Sequence, residues 1–264
     1  MIAAVHEALK AAPAVWFRSR AYHEYGTVAQ WVRGQVNMDT AKILDFGCGS
    51  LPVAAASFAL RHPDAEVIGC DILPARREAL VAELSEHAQL GMPENLRLEQ
   101  MAPNTIPESC VDLDLVYSWS VFEHVPAGDV TRNFELVRDS LGPDGIFFFQ
   151  NGGLYFNTEG SHLKHLLPGE RWHHLTNSIS ELHAKVMAAD APQRAKEGNW
   201  IQFTELNRLT ADDFMDAASD AGLELMLEAR LRDTGGPPPA SLLRVYSEDV
   251  LMTTEVRALF RARA

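Results

Sequence analysis

Strand-like and helix-like stretches alternate along this chain from residue 41 to residue 150, and that alternation limits the fold more than any other feature. Residues 41–46 (AKILDF) form a short apolar run entering a glycine turn, and 52–61 is alanine-rich and helical in character. Residues 66–71 (EVIGCD) read as a second strand and 74–90 as a helix with Pro74 in its first turn. A third strand is expected at 96–100, a fourth at 111–118 (VDLDLVYS), a helix at 129–141 and a fifth strand at 145–150 (GIFFFQ). Near-continuous apolar strands separated by helices imply a parallel sheet covered on both faces. Right-handed crossovers then make it doubly wound.

The flanks follow other rhythms. Val28, Trp31, Val32 and Val36 recur at helical spacing after Tyr25, so 1–40 reads as an N-terminal helical segment. After Gln150 the alternation breaks, and 151–208 reads as an insertion with one helix at 178–189. The alternation resumes at 210–221, a helix opened by Thr210-Ala-Asp-Asp213, a capping-box variant. Residues 223–230 and 241–246 read as two strands joined across Gly235-Gly-Pro-Pro-Pro239, and 247–264 as a closing helix. The organisation expected is an N-terminal segment (1–40), a binding core (41–150), the insertion (151–208) and a C-terminal return to the sheet (209–264).

Charge and cysteine content narrow the class. The 264 residues carry 36 acids against 23 bases, a net charge of −13, which repels phosphate backbones and argues against nucleic acid as a partner. Cys48, Cys70 and Cys110 are odd in number and form no CxxC pair, which speaks against a disulfide framework or zinc ribbon and for a cytoplasmic setting. With no basic neighbour, Cys48 and Cys70 read as small buried fillers. Residues 1–17 are broken by His6, Glu7 and Lys10, unlike a signal peptide, and no apolar run is long enough for a membrane span. A homodimer is compatible with all of this.

The most informative stretch is Ile43-Leu-Asp-Phe-Gly-Cys-Gly49, followed by Ser50-Leu-Pro52. Two glycines spaced by one residue let the backbone turn tightly and approach a ligand. Asp71 closes the next strand 22 residues after Gly49, where a carboxylate in a nucleotide-binding sheet meets ribose hydroxyls. A dinucleotide fold would want a third glycine where Pro52 stands, so a nicotinamide-dependent oxidoreductase is the weaker alternative. An ordinary strand-to-helix turn is the bland one.

Residues 43–71 resemble the cofactor motif of class I S-adenosylmethionine-dependent methyltransferases, a hydrophobic pair followed by D-x-G-x-G-x-G. Val111-Asp-Leu-Asp-Leu-Val-Tyr-Ser-Trp-Ser-Val-Phe-Glu-His-Val125 is similar to that family's fourth strand and following turn, and Leu141-Gly-Pro-Asp-Gly145 to the turn before its fifth. Residues 210–223 match its helix-and-strand close. The resemblance implies an α/β fold with a doubly wound, mostly parallel seven-stranded sheet, helices on both faces and an insertion after the fifth strand. It implies S-adenosylmethionine as cofactor. Asp45, Gly47 and Gly49 would shape the pocket for its methionine end and Asp71 would bind the ribose. Ile72, Met101 and Ala102 would neighbour the adenine, while Ser118 would present backbone to the amino-acid end. Leu51 stands where the third glycine of the motif would be, and residues 100–103 lack the acid often found near the adenine.

Methyl transfer from a sulfonium needs alignment and desolvation, and a hydroxyl acceptor also benefits from a base. Glu123-His124 follows the fourth strand at the carboxyl edge, as either turn organiser or substrate-side pair. His162, His165, His173 and His174 cluster in the insertion. His124, His162 and His174 are the candidate bases. Without HExxH or cysteine partners the cluster does not read as a metal site. Tyr155, Trp172 and Trp200 could offer flat faces, and Asn157 and Ser161 could bond hydroxyls. Gly160-Ser-His-Leu163 and Glu170-Arg-Trp-His-His-Leu175 bear a short, local similarity to bacterial methyltransferases of saccharide hydroxyls. The expected reaction is methylation of a small-molecule or saccharide acceptor at oxygen. The alternatives are N-methylation of a small molecule and an inactive cofactor-binding partner subunit.

Overall fold

The computed structural model describes residues 2–158 and 161–263, Ser161 by its backbone alone. Seven strands, β1 (Lys42–Phe46), β2 (Glu66–Asp71), β3 (Leu96–Gln100), β4 (Leu113–Trp119), β5 (Leu141–Asn151), β6 (Leu223–Arg232) and β7 (Thr253–Ala262), form one sheet in the order β3-β2-β1-β4-β5-β7-β6. Strands β1 to β5 pair in parallel, and β7 runs antiparallel between β5 and β6. The order reverses between β1 and β4. At such a switch point the loops leaving the two strands diverge to opposite faces and open a crevice at their carboxyl ends.

The strand sequences divide two cores by their period of two. On β5, Phe147 and Phe149 face one core and Phe148 the other. The Phe147 side also buries Phe134 and Val137 of helix Val130–Ser140 and Phe214 and Ala218 of helix Ala211–Asp220. On the Phe148 side, helix Val53–Arg61 is buried almost throughout, because the N-terminal segment lies over it. Its alanines leave room for that close layering. Ser57 Oγ donates to the Ala21 carbonyl at 2.6 Å, Arg61 Nη1 donates to the same carbonyl at 3.0 Å, and the Arg61 guanidinium sits 4.2 Å over the Tyr25 ring. These contacts clamp the N-terminal segment to the core.

That segment comprises helices Ile2–Ala11, Val15–Arg18 and Tyr25–Trp31 with a π-helical turn at Ser19–Glu24. The insertion buries its own cluster of Tyr155, Leu163, Leu166, Leu182, Val186 and Phe203. Its helix Ile179–Ala188 is capped by Ser178 and Glu181.

Four local expectations need correction. Residues 247–264 do not form a closing helix: after the short helix Glu248–Met252 they form β7, a central strand of the sheet. Arg257 and Arg261 lie four apart and mimic a solvated helix face, but Val256, Ala258 and Phe260 alternate into the core. Residues 241–246 contain a short helix, Ala240–Leu243, where a strand was expected. The helix expected from Pro74 begins at Arg77. Helix Gln193–Thr204 went unanticipated because its polar sequence buries only Phe203.

Candidate active site

The chain leaving β1 turns sharply at the two glycines. Gly47 N and Cys48 N both donate to the Cys70 carbonyl, at 2.9 and 3.0 Å. Gly47 has φ +84°, and a Cβ there would lie 2.4 Å from Val121 Cγ2. Gly49 has φ +73°, but a Cβ there would meet nothing within 4 Å, so this backbone faces open space. One glycine is required by packing and the other leaves a cradle. Leu51 packs toward the core instead of extending the loop rim.

Asp71 holds that cradle. Its Oδ2 accepts from Gly49 N and its Oδ1 from Leu73 N, both at 2.8 Å. Each oxygen keeps capacity for a second donor. Ile72 and Leu73 are half exposed, an apolar ledge at the end of β2. Met101 N donates to the Asp71 carbonyl at 2.9 Å, Gln100 Nε2 to the Ile72 carbonyl at 3.0 Å and Thr105 Oγ1 to the Ala102 carbonyl at 2.8 Å. Gly49, Asp71, Ile72, Met101 and Ala102 therefore share one rim.

Below the glycines lies a group of buried acids. Burial pushes Asp45 up to about 7, despite the nearby Tyr117 hydroxyl, which falls short of full hydrogen-bond geometry. Burial also pushes Glu24 up to about 8, outweighing Arg20, whose guanidinium is 3.4 Å away. Asp45 and Glu24 feel each other's charge, so the π-helical turn reaches the exit of β1. Sequence reasoning missed Arg20 and Glu24. The only signal was a pair of charges at i, i+4 in an otherwise amphipathic segment. Ser118 is fully buried with its Oγ unpartnered. Burial, reinforced by Asp45 and Asp71, drives the Cys48 thiol far above its ordinary range, so it is no nucleophile at neutral pH.

The turn after β4 carries Glu123 and His124. Glu123 is buried against Gly153, one carboxyl oxygen has no partner, and burial pushes it up to about 8. Asn207 Nδ2 fixes this turn by donating to the Phe122 and Val125 carbonyls at 2.7 and 2.9 Å. His124 Nε2 lies 3.1 Å from His162 Nε2, 38 positions apart in sequence. Burial lowers both, His162 to about 4 with help from His124 and Lys164. Two neutral imidazoles joined through Nε2 hold one shared proton, and the donor of that bond keeps a free accepting Nδ1.

His174 is elsewhere. It packs edge-on against Tyr155, 5.1 Å between centroids, with both ring nitrogens unpartnered and its pKa driven to about 3 by burial. Trp172 is buried with its Nε1 donating to the Leu251 carbonyl, and Trp200 packs on Phe203. Gly160 and the Ser161 side chain lie outside the described residues. Among the described residues, no group of three His, Cys, Asp or Glu could hold a metal, and no helix is long and apolar enough to cross a membrane.

An open glycine backbone, a half-exposed apolar ledge beside a carboxylate and an orphaned buried hydroxyl thus stand at the carboxyl ends of β1, β2 and β4. The sheet order and flanking helices are those of the class I S-adenosylmethionine-dependent methyltransferase fold. The chain belongs to the methyltransferase domain family, whose model matches residues 20–228. It is 28% identical over 145 residues to an uncharacterised protein of Rickettsia prowazekii (strain Madrid E), a match covering 55% of this chain and 50% of that one. Its fold is similar to PKMT2 of Rickettsia typhi solved with AdoHcy (TM-score 0.53, 16% identity, 93% of this chain and 53% of that one). It is also similar to magnesium protoporphyrin IX methyltransferase of Synechocystis PCC 6803 with bound SAH (TM-score 0.53, 13% identity, 94% and 85%). The PH0226 protein of Pyrococcus horikoshii OT3 has TM-score 0.54, 15% identity and 96% and 95% coverage. The chain spans about half the length of the curated relative and of PKMT2.

Proposed function

We propose that this methyltransferase methylates a hydroxyl of a small polar acceptor, a saccharide or a compound like one, with His124 as the base. The reading rests on the 3.1 Å contact between His124 and His162, which joins the β4 exit to the insertion at the carboxyl edge of the sheet. Its cofactor supplies, when bound, an electrophilic methyl group on a sulfonium. Asp71 would accept from the ribose hydroxyls, with Ile72, Met101 and Ala102 against the adenine. Gly47, Gly49, Asp45 and Ser118 would line the methionine end.

The base is derived from the pair. His162 is the more strongly depressed of the two in its surroundings, so His124 is the better proton acceptor once its Nε2–H points to His162 Nε2. That tautomer leaves His124 Nδ1 free. The acceptor hydroxyl loses its proton to this nitrogen as its oxygen gains the methyl group, and the proton then passes to solvent. His162 acts by fixing the tautomer and ring plane. A neutral pair at pH 7 is ready to accept without first losing a proton.

His124→Ala should lower kcat for an oxygen acceptor by about 10²–10⁴-fold, the weight of a general base, and leave S-adenosylhomocysteine affinity unchanged. His162→Ala should lower kcat less and shift the pH profile. Full oxygen methylation by His124→Ala would remove the base assignment. Methylation confined to amines would replace the hydroxyl acceptor, and cofactor binding without turnover on any acceptor would favour an inactive partner subunit.

A further inference from the structure

A second hollow, about 380 Å³ in volume, opens at the same edge of the sheet, between the insertion and the β6–β7 corner. From these observations we infer that it is a subsite for the uncharged, hydroxyl-bearing part of the acceptor, a pyranose ring or its equivalent. This inference rests on the methyltransferase reading above and deepens it.

Placement carries the first part of the argument. Gly152 lines the hollow, and its neighbours are the Gln150 amide, the Ser120 hydroxyl and the Glu255 carboxylate. Ser120 Oγ donates to Gln150 Oε1 at 3.1 Å, and Ser120 leaves β4 four residues before His124. The next residue, Gly153, packs on Glu123. Lys164 also lines the hollow, two residues after His162. His162 is thus two residues from one lining residue, and His124 adjoins Glu123, which packs on Gly153 next to another.

Chemistry carries the second part. Among the described residues, no aromatic or large aliphatic side chain lines the hollow, so a flat apolar acceptor finds no face there to stack on. Among the described lining residues the charged side chains balance, Lys164 and Arg232 against Asp233 and Glu255. Arg232 is already paired with Asp249, Asp233 with Arg171 at 3.1 Å, and Glu255 with Arg257. An anionic acceptor would have to compete with carboxylates for Arg232. Thr234, Thr254, the paired carboxylates and the Gly152 backbone instead offer donors and acceptors at several angles, which suits neighbouring hydroxyls of a neutral ring.

The test uses the full chain saturated with S-adenosylhomocysteine, with saturation-transfer and titration NMR on separate probes: methyl glucopyranoside, methyl mannopyranoside, glucose 6-phosphate and catechol. At least one neutral pyranoside should bind. Thr234→Val and Glu255→Gln should each weaken it by about fivefold, the weight of one net hydrogen bond, with S-adenosylhomocysteine affinity unchanged. Binding only of the phosphate or only of catechol overturns the inference, as does the absence of pyranoside binding at millimolar concentration. Pyranoside binding insensitive to both variants also overturns it. Methyl transfer is then assayed separately. A pyranoside held by the hollow but never methylated would overturn the hydroxyl-acceptor reading and leave the subsite standing. A pyranoside methylated at full rate by both variants would do the reverse.

Discussion

Replacing Asp71 gives the sharpest test of how the cleft holds its cofactor. Both carboxylate oxygens are already engaged once, by Gly49 N and Leu73 N at 2.8 Å. Each has one lone pair left, so the residue can accept two further donors, the number a ribose supplies. A hydrogen bond to a charged group contributes about 1.5–3 kcal/mol. Two at the lower bound come to about 3 kcal/mol, and at about 1.4 kcal/mol per decade Asp71→Ala should weaken S-adenosylhomocysteine binding about 100-fold. Asp71→Asn keeps one accepting oxygen and turns an amide toward one of the two backbone N–H groups, so its loss should be intermediate. Calorimetry on the folded variants, with a parallel thermal melt, separates lost affinity from lost fold. A 2′,3′-dideoxy analogue completes the cycle: wild type should discriminate against it and Asp71→Ala should not. Affinity within threefold of wild type, or undiminished discrimination in the variant, would refute the reasoning.

Other outcomes follow from the same geometry. Gly47→Ala should destabilise the fold by about 2 kcal/mol or more, because positive φ and the Val121 clash add; urea unfolding reads this, and Val121→Ala should recover part of it. Glu24, at about 8 in the folded chain against 4.5 unfolded, holds a proton that the unfolded chain releases, so it costs stability as pH rises between those values. Urea midpoints of Glu24→Gln across that range should be flatter than those of wild type. His174 has the opposite sign: at about 3 folded against 6.5 unfolded, it costs stability as pH falls through that window. His174→Phe should raise the acid-side midpoint, and an unchanged acid limb would show that this ring is not what limits it. Glu123→Gln mimics the protonated carboxyl, so its advantage over wild type should grow as pH rises from about 4.5 to about 8 and level off above that.

Much of the core could be read in advance because its signals are local. The apolar runs that became β1, β2 and β4 carry their own period, and the Thr210 and Ser178 caps mark helix starts by hydrogen bonds three residues long. β7 escaped because its arginine spacing suggests a helix face. Pairing with β5 on one side and β6 on the other outweighs that local pattern. The positions of Gly47, Gly49 and Asp71 were legible for the same reason as the strands: they stand at strand ends, where topology leaves little choice of position.

What the sequence determined by itself, then, is the parallel α/β core, the turn that only glycine can make at Gly47, and an acid at the end of β2. Each depends on steric limits and periodicities that act within one or two elements. Only the tertiary structure brought His162 to His124, sent His174 into the apolar core of the insertion and carried Glu24 beneath the glycine loop beside Asp45. Such meetings join residues tens of positions apart and depend on how whole layers pack. Burial then sets which of these groups are charged, and no local pattern encodes burial at that distance.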